Sequence, residues 1–281
     1  MRIALGINVV MLAGGLIGGL LIGSLALLAD AGHVLSDVGA LALGLFAASL
    51  AMRPAGPDRT FGFQRSEVLA ALVNGVALVI ISVLIAVEAL SRFGDPPEVA
   101  GAGVLAIGLI GLGGNLVATL VLAGGEREDL NLEGVLRHSL ADALGSLGVV
   151  VSGVVLLVTG WDAVDPIAGL VIAALILLSS WRLIAEPVHV LMEGAPRGVD
   201  VAALGKAMCT QPGVVEVHDL HVWTVTSGFP ALAAHVVVEQ GADRDLVRNR
   251  LERLVKEEAG IEHTTLQMVE PDRTGELVTI D

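Results

Sequence analysis

LLADAGHVLSDVGAL, residues 27–41, lies inside an apolar run long enough to cross a bilayer, yet it carries Asp30, His33 and Asp37. An ionised Asp at mid-membrane costs about 2.5–3.5 kcal/mol on insertion scales, so such groups mark ion or proton sites. His33 and Asp37 are four residues apart and share one face of a helix. The same spacing returns in RHSLADALGS (137–146), as His138 and Asp142. Two such helices face to face offer two imidazole nitrogens and two carboxylate oxygens. That thiolate-free set suits a tetrahedral Zn²⁺ or Co²⁺, and its two carboxylates neutralise the ion. Protons are the alternative occupants. Asp30, seven residues before Asp37, falls near the same face and reads either as a further ligand or as a helix anchor.

Working outward, the chain is 54% hydrophobic with a mean hydropathy of +0.79. The excess sits almost entirely before residue 185. Spans of about 20 apolar residues fall at 3–23, 25–51, 67–91, 99–123, 133–159 and 166–184. The expectation is a membrane all-α bundle of six transmembrane helices over residues 1–185, followed by a separate domain over 186–281. The apolar run behind Arg2 has no cleavage signal and reads as the first span. Arg53, Arg59 and Arg65, with Arg127, Arg137, Arg182 and Arg197, cluster on one side of these spans against Arg92 on the other. That places both termini in the cytoplasm. Asn8, Asn74 and Asn115 lie mid-span and read first as interhelical hydrogen-bond glue, and the many glycines as close helix packing.

The last 96 residues hold 16 acidic and 8 basic side chains. The net charge of −14 overall argues against nucleic acid as a partner. Cys209 is the sole cysteine, which excludes an intrachain disulfide and a cysteine zinc cage. Helical spacing over 199–210 and 243–258, with strand-like alternation over 214–225, 230–239 and 261–270, predicts an α-β-β-α-β domain of the α+β class. A hairpin loop at 225–228 would set His218 directly opposite His235. His263 opens the third strand beside them. His221, three residues from His218, points to the other face of a regular strand. His189 reads as structural, and Trp223 as a packing residue.

An intramembrane metalloenzyme would need a water-activating glutamate, as in HExxH, and the sequence has none. An organic-cation exporter would want aromatic walls, and the chain has 3% aromatics and no Tyr.

LLADAGHVLSD, FGFQRSEVLAALVNG, RHSLADALGSLGVV, DPIAGLVIA and VHDLHVW together resemble the cation diffusion facilitator family, in its zinc-exporting branch. The resemblance implies six membrane helices with a ferredoxin-like cytoplasmic domain, a homodimer in the cell membrane (the inner membrane of a bacterium), and export of Zn²⁺ against protons. It implies His33, Asp37, His138 and Asp142 as the transport site. It further implies His218, His235 and His263, with His221, as zinc ligands of the cytoplasmic domain, in part across the dimer. A loop zinc site built on histidines in some members has no counterpart in 53–65, which holds only Asp58.

Overall fold

The structure is a computed structural model that describes the backbone of residues 2–123 and 132–271; side chains at 2–5, 7, 118, 119 and 121–141 are outside the described set. The helices α1 (Arg2–Ile22), α2 (Leu25–Ala51), α3 (Ser66–Ser91), α4 (Gly101–Ala123), α5 (Leu132–Thr159) and α6 (Val164–Leu191) come first. After them follow α7 (Val201–Cys209), β1 (Val214–Thr226), β2 (Phe229–Val238), α8 (Arg244–Ala259) and β3 (His263–Val269). Among the described residues, four segments are long and apolar enough to cross a membrane: α2, α3, α6 and the Asp142–Thr159 part of α5. Shorter apolar stretches lie in α1 and α4, at Asn8–Ile22 and Gly101–Val117.

Two compact units emerge, one of residues 1–47 and 70–184, the other of 48–69 and 185–281. In the first, Ala26, Leu27, Leu78, Val104, Val149 and Ile172 form a buried core. Helices α4 and α5 approach through small residues. A Cβ on Gly153 would stand 2.6 Å from the backbone nitrogen of Leu105, so only glycine allows this crossing.

The start of α2 is fixed with equal care. Ser24 Oγ accepts from Leu27 N at 3.2 Å, as an N-cap residue does, and donates to Asp165 Oδ1 at 2.5 Å. Asp165 Oδ2 accepts from Leu25 N at 2.6 Å. A carboxylate from the first turn of α6 thus satisfies an orphan amide at the positive end of α2. Arg92 Nη1 donates to Gly23 O at 2.6 Å in the same turn.

Helix α6 runs seven residues beyond the expected end of the last span, through Glu186 and Pro187. The apolar count stopped where the polar residues begin, but a helix needs no hydrocarbon to continue. Pro187 lacks an N–H and its ring crowds the carbonyl four residues before it, a cost of about 3 kcal/mol that α6 bears near its C-terminal end.

In the second unit, α7 and α8 begin at Asp200 and Asp243, whose carboxylates accept from Ala203 N and from Asp245 N and Leu246 N. Gly260 ends α8 in the left-handed conformation, φ 66°. The sheet order is β1-β2-β3, with β1 antiparallel and β3 parallel to β2. Leu232, Ala234, Val236 and Val238 of β2 pack with Leu204, Met208, Leu251 and Val255 of the two helices. One face of the sheet is therefore covered, and the residues alternating with these form the other.

Strand β1 has 13 residues against 10 in β2, and the surplus appears as three register shifts. The hairpin turn is Ser227–Gly228, shorter than expected, with Gly228 at φ 75°. His218 nonetheless pairs with His235, because bulges between Thr224 and Thr226 and between His218 and His221 absorb the difference.

Candidate metal centre

His33 and Asp37 lie on α2, and Asp142 on α5. Each offers one ligand atom, and the three atoms lie within 4.8 Å of one another. His33 Nε2 stands 2.8 Å from Asp142 Oδ1, an imidazole N–H donating to a carboxylate across 109 residues of chain. Their side chains are 18% and 17% exposed. His138 falls on α5 four residues before Asp142, and its side chain lies outside the described residues. Tetrahedral ligands about 2.0–2.1 Å from zinc sit roughly 3.3 Å apart. The observed contact of 2.8 Å is shorter than that spacing, so an ion shared by these two groups would require it to lengthen slightly and lose its proton.

Asp30 does not join this cluster. Its carboxylate accepts from Ser146 Oγ, at 3.3 and 3.4 Å to its two oxygens. Asn115 on α4 donates to Ser146 Oγ at 3.0 Å and to the backbone carbonyl of Asp142 at 3.3 Å. Asn74 on α3 accepts from Ser36 Oγ at 3.3 Å. These glue contacts were expected for Asn115 and Asn74. Ser146 and Asp165 were not singled out, although Ser146 stands four residues after Asp142 and shares its helix face.

In the second unit, the rings of His218 and His235 lie edge to face with centroids 5.4 Å apart. Glu216 Oε1 is 3.8 Å from His218 Nδ1, and that nitrogen is buried without a hydrogen-bond partner. His263 does not stand beside them. It pairs with Ala231, and the position opposite His235 on β3 is taken by Gln267. Four residues of strand separate the two sites, about 13 Å, because β3 runs parallel to β2 in that register. The His263 ring packs instead on Phe229 and Phe61, at 5.3 and 6.1 Å.

His221 reverses its expected facing. Three steps on β1, from His218 to His221, match two on β2, from His235 to Ala233. The extra residue returns His221 to the same open face as His218. Asp219 takes φ 53° within this bulge and its carboxylate accepts from His221 at 2.8 Å. His221 and Trp223 line a cavity of about 750 Å³ together with Arg59, Gln64 and Arg65 of the α2–α3 connection. His189 bonds Ala195 O at 2.8 Å, a structural contact as expected.

Apolar helices enclosing a histidine–carboxylate cluster, with a small mixed α/β domain after them, define a membrane transporter of metal cations. Residues 1–192 match the cation efflux transmembrane domain, and residues 196–272 the cation efflux protein cytoplasmic domain. The chain belongs to the cation efflux family, the cation diffusion facilitators. It is 41% identical over 256 residues to the cadmium, cobalt and zinc/H(+)-K(+) antiporter of Bacillus subtilis, covering 90% of this chain and 82% of that one. It is also 41% identical over 254 residues to the zinc transporter ZitB of Escherichia coli, covering 90% and 81%. Among solved structures, the metal-bound C-terminal domain of the CzcD transporter from Cuprividus metallidurans matches 25% of this chain and 99% of its own, at 35% identity and a TM-score of 0.25.

Proposed function

We propose that this protein exports Zn²⁺ from the cytoplasm in exchange for protons, by alternating access to a site formed by His33, Asp37, His138 and Asp142. The observation that carries the proposal is the convergence of His33, Asp37 and Asp142 from two separate apolar helices to within 4.8 Å. Two carboxylates balance the charge of one divalent ion, which lowers the cost of holding it in low dielectric. A zinc site as tight as a structural one, about 10–16 kcal/mol, would never release its ion. Protons supply the release, because imidazole and carboxylate must lose them to bind metal. Moving two charges outward against 100 mV costs about 4.6 kcal/mol, and each returning proton offsets half of that.

The reading takes α1 to α6 as six spans, residues 1–185 as the transport domain, and both termini as cytoplasmic. Residues 186–281 form a ferredoxin-like domain that dimerises. There His218 and His235, with Glu216 and Gln267 beside them, hold zinc. His263 and His221 of the same face complete such sites only from a second copy or a second position. Zinc bound in this domain would bias the membrane helices toward the active state. The non-enzymatic reading rests on the sequence, which holds no HExxH motif to supply a water-activating glutamate.

The test is zinc-driven proton movement in liposomes containing the purified protein. The wild type acidifies or alkalinises the lumen on zinc addition, and Asp37→Ala and Asp142→Ala do not. Zinc binding without proton movement in the wild type would overturn the exchange mechanism.

A further inference from the structure

The structure assigns to Asn115 a positioning role in the transport site, exerted through Ser146 and anchored on Asp30; this rests on the proposed transport site above. The Asn115 amide donates to the carbonyl of Asp142 and to Ser146 Oγ, at 3.3 and 3.0 Å. Ser146 Oγ in turn donates a hydrogen bond to the carboxylate of Asp30 on α2. The result is a hydrogen-bonded bridge from α4 through α5 to α2, and the two helices it joins last are the two that carry the ligands.

Three features set this bridge apart from incidental packing. Ser146 is fully buried and Asn115 is 7% exposed, so each lost bond leaves a polar group without water to replace its partner. The bridge ends one helical turn from the ligands on both helices: Asp30 is three residues before His33, and Ser146 four after Asp142. And the site is shaped for it. A Cβ on Gly145 would stand 3.2 Å from Asp30 Oδ1, tighter than an ordinary contact, so the bare glycine backbone there leaves room for the Asp30 carboxylate. Outer partners of this kind fix the orientation of metal ligands, and their loss costs typically 10–100-fold in metal affinity or activity.

The role is distinct from ligation. A carboxylate that serves only as a hydrogen-bond acceptor is replaceable by an amide, whose carbonyl oxygen accepts equally well. One that binds metal or carries a proton is not.

The experiment measures zinc transport kinetics in proteoliposomes for Asn115→Leu, Ser146→Ala, Asp30→Asn and Asp30→Leu beside Asp37→Asn. Asn115→Leu and Ser146→Ala should raise the KM for zinc about 10–100-fold with the maximal rate largely kept, and the double variant should be no worse than either. Asp30→Asn should keep the wild-type KM, while Asp30→Leu should match Asn115→Leu. The conservative variant retains the buried polarity, so its result does not depend on how well the leucine variants fold. If Asp30→Asn is as inactive as Asp37→Asn, Asp30 acts through its charge and the positioning role is overturned. Unchanged KM in Asn115→Leu or Ser146→Ala overturns it as well. If Asp37→Asn itself still transports zinc, the reading of the site fails, and the bridge loses the site it positions.

Discussion

Ser24 donates its hydroxyl proton to Asp165 at 2.5 Å, joining two residues 141 positions apart at the point where α2 begins. Asp165 is completely buried and also accepts from Leu25 N, so one carboxylate fixes where the helix bearing His33 and Asp37 starts. Asp165→Ala leaves a buried hydroxyl and a buried amide unpaired, a loss of about 1–3 kcal/mol for each such group. The expected outcome is a clearly lowered melting temperature in detergent, measured by tryptophan fluorescence or light scattering. An unchanged melt would mean that water or another group takes over the cap.

Zinc affinity at the membrane site should fall as the solution is acidified. The ligands bind metal only when deprotonated. One competing proton per site weakens binding up to about tenfold for each pH unit below that ligand's own pKa, and two competing protons steepen the fall. Calorimetric titration between pH 7.5 and 5.5, in a His218→Ala/His235→Ala background, reads the slope. Affinity independent of pH would contradict proton exchange.

The cytoplasmic pair should hold metal when the membrane site cannot. Full-length Asp37→Ala/Asp142→Ala protein is expected to retain zinc in equilibrium dialysis, and to lose it on adding His235→Ala. Gln267→Ala should weaken that binding less, since an amide oxygen is a poorer zinc ligand than imidazole. Retention of all the zinc after His235→Ala would leave His218 and His235 as sheet-surface histidines.

Gly153→Ala should be more damaging than its single methyl suggests. The new Cβ would meet the Leu105 backbone at 2.6 and 2.8 Å, and backbone cannot swing aside as a side-chain tip can. Overpacking of this sort costs about 1–3 kcal/mol. The expected result is reduced thermal stability. Gly113→Ala, with nothing within 4 Å of its Cβ, serves as the silent control.

Much of this molecule is legible in residue order because the signals are periodic and strong. Four-residue spacing put His33 with Asp37, and apolar length marked the helices. Alternation found all three strands to within a few residues. What was hidden depends on contacts distant in sequence or on irregular backbone. The pairing of Ser24 with Asp165 leaves no local trace, since either residue alone reads as ordinary turn chemistry. The separation of His263 from His235 follows from the register of a parallel strand, which no local pattern encodes. Alternation alone turns His221 to the wrong face, because it assumes a regular strand and Asp219 at φ 53° breaks it. The pairing of His218 with His235 follows from a loop longer than the real one, and two bulges make up the difference.

The bulge between His218 and His221 decides what this face of the sheet displays. Glu216, His218, His221 and Trp223 look out from one side only because β1 loops out one supernumerary residue between the two histidines. Were that residue drawn into the ladder with nothing deleted, one half of the strand would turn inside out. Either Glu216 and His218 or His221 and Trp223 would then face the helices. Deleting it would instead restore plain alternation and keep both histidines on the same side, so here a spacing of three residues is equivalent to a spacing of two in a regular strand.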